Sequence, residues 1–592
     1  MMWIAVAVGV LLGLALVYAV RRRRRVRPEA RPPDGYAIAL GHYEAGRQAE
    51  AETALRQVVR ARPEFPDARF KLANTLAELG RLDEAEAMYR QALRLKPDFH
   101  QVHNNLGNLL RSKGLRDEAE ACFRRGIDCQ ADFPEALMNL GILLAEDGRA
   151  KEAEDAFRRA LRGNPDHVDV LYNLALLLGG GGRLDEAEAA CRHALRLSPG
   201  SALAANVLGT LLVRQPERIA EAEAAYRQAL AIQPDFPEAL NNLGALCRLT
   251  GRWQEAEAAY RQALKVDPGH VVVLDNLAHL HLLQGHFEQG WAEMEYRWLT
   301  DRNREFRGFF QPRWDGKAFL GKTLLVHYEQ GAGDGIQFFR YLPKVAAMGG
   351  RLVVECPASL YRLFRDNLPA EVRLVRCQEA LPDFDLYCPL MSLPLAFQTR
   401  LETIPANVPY LKPPAEAVAN CPLLTARPGA QVLVGVLWAG NPGHHNDRNR
   451  SLDFSLLEPL LATPGVTWAI LQLERRPEGF ERLAASSGWL DPMGGVKDFA
   501  DTAAIIAQLD LVVGVDTSVI HLAGALGKPV WLLLPLMPDW RWLLGREDSP
   551  WYPGIRLFRQ SEYNAWPEVV RRVACALPTE RDALLHSKLG TT

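Results

Sequence analysis

The sequence predicts an α-solenoid of repeated helix pairs followed by two small α/β domains with parallel sheets, with one membrane-spanning helix ahead of them. Three observations predict this. A Glu-Ala-Glu-Ala pattern recurs at even spacing through the first half of the chain. After Trp298 it stops, and short β-rich runs alternate with helical stretches, the pattern of parallel sheets covered by helices. Met1–Val20 carries no charged side chain, and Arg21–Arg25 and Arg27 follow at once.

About 20 apolar residues at roughly 1.5 Å per residue match a bilayer core of about 30 Å. A secretory signal carries its positive charge before the apolar run; here the arginines come after it. The positive-inside rule then predicts a single-pass, uncleaved anchor at 1–20, with Arg21 onward in the cytoplasm. Residues 21–34 read as a basic Pro/Arg linker. The net charge of −2 over 592 residues gives no bulk basic character, so no nucleic-acid partner is expected. The nine cysteines form no Cys-x-x-Cys pair, which argues against a zinc ribbon and for reduced thiols.

Residues 35–298 hold the repeats. The pattern appears at Ala49–Glu52, Glu84–Ala87, Glu118–Ala121, Glu152–Glu154, Glu186–Ala189, Glu221–Ala224 and Glu255–Ala258. Pro63, Pro97, Pro165, Pro199, Pro234 and Pro268 keep the same beat. A period of about 34 residues with a small residue, an aromatic and a terminal proline is the tetratricopeptide signature. Gly107, Gly141, Gly209 and Gly244 take the small slot of the first helix. Phe123, Phe157, Tyr226 and Tyr260 take the aromatic slot of the second. Seven repeats are expected, with a degenerate one over 271–298. Stacked pairs form a long concave surface. Asn105, Asn139, Asn173, Asn206, Asn242 and Asn276 recur on the first helices, and side-chain amides suit an extended peptide backbone. A protein or peptide partner in this groove is expected.

Residues 299–321 read as a joint rich in Arg, Phe and Trp. Expected strands at 323–327, 352–355, 372–375 and 385–388 make an N-terminal Rossmann-like domain at 322–415. A second set at 432–438, 467–473, 511–515, 530–534 and 555–558 makes a C-terminal one at 430–575. Ligands of such sheets sit at the carboxyl ends of the strands.

Three strand ends carry chemistry. After the first strand, Glu329–Gly335 is glycine-rich, and Asp334 stands where a helix begins, suited to a general base or to capping. After Val432–Trp438 a long polar loop holds Gly440, Asn441, Arg448 and Arg450; its arginines suit a diphosphate. The adjacent His444-His445 reads as loop, not as a metal pair, and no metal site is expected. After Leu511–Val515, the turn Asp516-Thr517-Ser518 opens a helix containing His521. Unpaired N–H groups and the helix dipole make such a turn ready for phosphate.

The motifs Gly290-Trp291, Glu295–Trp298, Trp314–Gly316, Glu329–Asp334 with Arg340-Tyr341, Pro389–Pro394 and Asp516–Ala523 carry a family resemblance. On them the chain from about Gly35 resembles the bacterial tetratricopeptide-repeat glycosyltransferases. Their catalytic part is similar to glycosyltransferase family 9, the heptosyltransferases, and the layout is distantly similar to O-GlcNAc transferase. The resemblance implies a GT-B-like pair of lobes and a bacterial inner-membrane location. It implies Asp334 as catalytic base, and Asp516, Thr517 and His521 with Ser518 as the nucleotide-sugar segment. It implies an inverting, metal-independent transfer with no cofactor beyond the nucleotide-diphosphate sugar. The same layout also admits an inner-membrane scaffold whose transferase fold no longer turns over.

Overall fold

A computed structural model describes residues 35–299, 307–421, 432–444, 446–474 and 488–589. The expected anchor at Met1–Val20 and the linker at 21–34 lie outside the described residues. Among the described residues, no helix is long and apolar enough to cross a membrane. The chain divides into two compact units between Leu211 and Leu212.

The first unit is a run of helix pairs, from Tyr36–Glu44 with Gln48–Ala61 to Val168–Gly180 with Leu184–Leu197. Proline starts some of the first helices, at Pro66 and Pro134, where its missing N–H costs nothing. The glycine and aromatic slots meet as the sequence predicts. A Cβ on Gly107 would stand 2.6 Å from the Phe123 ring, and one on Gly141 2.6 Å from Phe157. The glutamates of the repeated motif bind arginines one repeat away. Glu52 takes Arg81 at 2.7 Å, Glu120 takes Arg149 at 2.8 Å and Glu154 takes Arg183 at 2.9 Å. The motif therefore stitches successive repeats together.

The asparagines are largely spent on the same task. Asn139 donates to Asn104 at 2.9 Å, and Asn105 to Asn74 at 3.0 Å. Asn139 and Asn206 are buried, and Asn173 bonds the Asp169 carbonyl on its own helix. In the second unit, Asn276 donates to Asn241 at 2.9 Å.

The second unit contains the last helix pairs, Pro237–Leu249 with Trp253–Val266 and Val271–Leu283 with Phe287–Glu293, and two α/β lobes. The first lobe has four parallel strands: β1 (Thr323–His327), β2 (Arg351–Cys356), β3 (Arg373–Arg376) and β4 (Leu386–Pro389), in the order β3-β2-β1-β4. The second lobe has β5 (Val432–Leu437), β6 (Val466–Ile470), β7 (Trp489–Leu490), β8 (Leu511–Val515), β9 (Val530–Leu534) and β10 (Ile555–Arg559). Their order is β10-β9-β8-β5-β6-β7, all parallel. Only β7 has no counterpart in the sequence reading; two residues carry no period to detect.

The expected boundary near Trp298 is not where the compact units divide, and the reason is packing. Trp291 of the last helix pair donates its indole N–H to the Thr399 carbonyl at 2.9 Å. Its ring stands 5.1 Å from that of Trp540. One apolar cluster runs from Phe287 and Trp291 through Phe338 and Tyr341 to Trp540 and Trp551. Burial on this scale, about 25 cal/mol per Å² of apolar surface, makes the last repeats part of the α/β core.

The motifs of the joint hold one another. Arg297 grips Glu329 through two bonds of 2.9 Å and reaches Ser392 Oγ at 2.7 Å. Ser392 Oγ donates to Glu295 at 2.9 Å. Gly316 has φ 83°, and a Cβ there would overlap the Ala396 carbonyl, so only glycine serves.

Candidate active site

In the second sheet the strand order reverses between β5 and β8. The loops leaving these two strands are therefore neighbours, at the switch point where open α/β sheets bind ligands.

The β5 loop is held by Gln472, from the end of β6, and by its own side chains. Gln472 Oε1 accepts the N–H groups of Trp438 and Ala439. Ser451 Oγ accepts the Gly440 N–H at 3.0 Å and donates to Asp447 at 2.9 Å. The Arg450 guanidinium covers Gly440 so closely that a Cβ there would lie 2.6 Å from it. Asn441 closes a local turn by accepting the Gly443 N–H at 2.8 Å, so its oxygen serves the loop. Arg448 lines an open cavity of about 950 Å³ with Trp438, His444, Asp453 and Tyr563. His445 lies outside the described residues. Burial, then Arg450, holds the His444 imidazole below its usual range.

The β8 turn differs in one respect from its expected form. Thr517 is the N-cap of the helix Ser518–Ala525, but its side chain makes no capping bond. Its buried Oγ1 has no partner among the described residues, so no described side chain caps the helix start. Asp516 lies behind it, its Oδ1 3.6 Å from His521 Nε2. Burial, then the charge of Asp539, pushes the Asp516 carboxyl up to about 6. Burial, then Arg541, holds His521 down to about 3. The His521 ring stacks on Trp542, with centroids 5.4 Å apart, and its Nδ1 lies 2.9 Å from the Tyr552 hydroxyl.

The first lobe meets this turn directly. Its helix Ala332–Phe338 follows β1, with Gly331 as N-cap. A Cβ on Gly333 would lie 3.1 Å from His521 and 3.5 Å from the Ser518 Cα. Asp334, one residue on, accepts the Gly331 N–H at 2.9 Å and is ion-paired with Arg541. It therefore caps the helix and faces the second lobe at once. Arg541 also pairs with Asp539 at 2.8 Å and bonds the buried Gln337. Gly333 of the first lobe thus lies against His521 and Ser518, with Asp334 next to it in sequence, Asp516 beside His521 and Thr517 at the start of the same helix; Arg450 stands at the neighbouring strand end.

Arg541 and Asp539 are absent from the sequence reading. They stand in Asp539-Trp540-Arg541-Trp542, at the carboxyl end of β9. The strand-end rule that selects β1, β5 and β8 selects this segment too.

A tetratricopeptide-repeat family model matches residues 36–98, 104–166, 148–202 and 206–271. The glycosyltransferase family 9 (heptosyltransferase) model matches residues 481–533, which include β8 and the turn from Asp516 to His521. Protein FlbA of Caulobacter vibrioides is 30% identical over 314 residues, 49% of this chain and 52% of that protein. The chain thus spans about half the length of that relative. The solved structure of YrrB, a tetratricopeptide protein with an unusual peptide-binding site, is 24% identical. It covers 32% of this chain and 96% of its own, with a TM-score of 0.27. TTC0263, a thermophilic tetratricopeptide protein of Thermus thermophilus, is 26% identical over 31% of this chain and 99% of its own, with a TM-score of 0.29. The chain therefore joins tetratricopeptide repeats to an α/β region that is similar to glycosyltransferase family 9.

Proposed function

We propose that the C-terminal unit is an inverting glycosyltransferase acting on a nucleotide-diphosphate sugar, with the repeats recruiting a protein or peptide acceptor. The observation that carries this reading is the meeting of Gly333 with His521, which sets Asp334 beside an uncapped helix N-terminus. In this reading the diphosphate takes the free N–H groups and Thr517 Oγ1 at the start of Ser518–Ala525, with Arg450 and Arg448 alongside. These pre-arranged donors stabilise charge on the leaving group. The acceptor hydroxyl attacks the anomeric carbon and gives its proton to Asp334, and the bond from that carbon to the diphosphate oxygen breaks. While Arg541 holds Asp334, that oxygen is closed to an acceptor. An arriving diphosphate competes for Arg541 and frees the carboxylate, which ties base availability to donor binding. The charge pattern of Met1–Arg25 supports single-pass attachment to the inner membrane with this unit in the cytoplasm.

The test is calorimetry of the full chain with a panel of nucleotide sugars, paired with nucleoside-diphosphate release in the presence of cell extract. Asp334→Ala is expected to bind the donor within about threefold of wild type and to lose about 10²–10⁴-fold in transfer. Transfer by this variant near the wild-type rate removes Asp334 as base. Failure of every donor to bind leaves the scaffold reading in its place.

A further inference from the structure

The first sheet also has a switch point. Its order β3-β2-β1-β4 places the ends of β1 and β4 side by side, with His327 paired to Pro389. A half-open cavity of about 280 Å³ lies there. It is just below the usual size of a small-ligand pocket, about 300–1,000 Å³, and so suits a single ring. None of the residues assigned to sugar transfer lines it.

Its walls are aromatic: Trp298, Phe309 and Tyr387. Phe309 packs 5.3 Å from Tyr387 and 5.7 Å from His327, centroid to centroid. The charged groups at its rim are already paired. Arg307 binds both oxygens of buried Glu355 at 2.7 Å, and Arg313 is ion-paired with Glu295. Burial holds the His327 imidazole down to about 4, so it is neutral. Its Nδ1 lies 3.3 Å from the Tyr328 carbonyl. A carbonyl only accepts, so Nδ1 carries the proton and Nε2 is left as an acceptor. Among the described residues, the buried Trp298 indole N–H has no hydrogen-bond partner.

A rim of compensated charges asks for a neutral ligand, since an ion there would lack a counter-charge. Guanidinium and indole donors beside carboxylate and imidazole acceptors ask for several hydroxyls, each able to donate and accept. Flat aromatic walls ask for a ring with an apolar face. A pyranose meets all three requirements; the phenol of a tyrosine side chain offers one hydroxyl only. We propose that this cavity binds a neutral pyranose ring, at a site separate from the crevice of Asp334 and Asp516. The assignment goes beyond the transferase reading and does not depend on turnover.

The experiment is saturation-transfer NMR and calorimetry of the full chain with neutral methyl pyranosides of glucose, galactose, mannose and N-acetylglucosamine. Tyrosine amide serves as the competing aromatic probe. At least one pyranoside is expected to bind, at least tenfold more weakly to Phe309→Ala, and equally well to Asp334→Ala. Should Phe309→Ala lose its fold by circular dichroism, Trp298→Phe keeps the ring and deletes the N–H; at least threefold weaker binding is then expected. No binding of any pyranoside overturns the proposal. So does equal binding by the cavity variants, or binding of tyrosine amide in place of the sugars. Equal binding by Asp334→Ala separates this outcome from that of the transferase test.

Discussion

Asp516 and His521 are a buried acid and a buried base, and burial favours the neutral form of each. Their effects on stability run in opposite directions. An unfolded aspartate ionises near 3.9, whereas Asp516 keeps its proton to about 6. Between those values the folded state binds the extra proton, so stability falls as pH rises. An unfolded histidine takes a proton near 6.5, whereas His521 resists until about 3. Between those values the unfolded state binds the extra proton, so stability rises with pH. Each contributes about 1.4 kcal/mol per pH unit, and between about pH 4 and 6 they cancel. Asp516→Asn removes the first and exposes the second. The variant is expected to gain about 2 kcal/mol on wild type between pH 4 and 6, read from urea midpoints of the C-terminal unit; parallel profiles for the two proteins would rule out this account. The placement of Asp334, Asp516 and His521 at strand ends was legible because each follows an apolar strand with a polar or glycine-rich turn. Arg541 was passed over although it too follows an apolar strand, because Trp540 and Trp542 flank it and give the segment the look of core. Nor does the sequence show that Thr517, a good capping residue by type, leaves its hydroxyl unused.

At the scale of elements, the repeats were legible almost completely, because their signal is a spacing and spacing survives substitution. The glycine and aromatic slots predict a contact that the structure shows at 2.6 Å for both Gly107 with Phe123 and Gly141 with Phe157. The asparagines were harder to place. Recurrence alone does not separate an amide that faces a groove from one that bonds the next helix, and Asn139 does the latter. The glycine contact yields a sharp expectation. Phe157 is 1% exposed, so the ring has little room to yield to a methyl group. Gly141→Ala is expected to cost about 1–3 kcal/mol by overpacking, read as a lower first transition in a two-transition melt. Gly141→Ala with Phe157→Leu, which removes the ring atoms in the way, is expected to recover part of the loss. An unchanged melt for the single variant would show that the helices have slack the geometry does not reveal.

At the scale of the whole C-terminal unit, the two lobes are joined by two buried cations, Arg541 of the second lobe and Arg340 of the first. Arg340 belongs to the first lobe and is 4% exposed. It donates to the Trp551 carbonyl of the second lobe at 2.8 Å, to the Pro405 carbonyl at 3.3 Å and to the Tyr410 hydroxyl at 3.1 Å. Its guanidinium also lies 4.6 Å from the Tyr552 ring centroid, and Tyr552 holds His521. One side chain thus links the turn that follows the Asp334 helix to the support of the Asp516–Ser518 turn. The sequence places Arg340 in a family motif but gives no partner, because its contacts lie up to 211 residues away. Arg340→Ala strands two buried carbonyls, at about 1–3 kcal/mol for each unsatisfied group. Lysine is no substitute, since a point charge cannot span three acceptors and stack on two rings. The expected result is a lower C-terminal transition and a loss of transfer exceeding the loss of donor binding, because the proposed donor cradle lies wholly in the second lobe. Calorimetry and nucleotide release on the same preparation separate the two effects. If Arg340→Ala kept wild-type transfer, the lobes would be aligned by the apolar cluster of Phe338, Trp540 and Trp551 with the Arg541–Asp334 pair, and Arg340 would be dispensable.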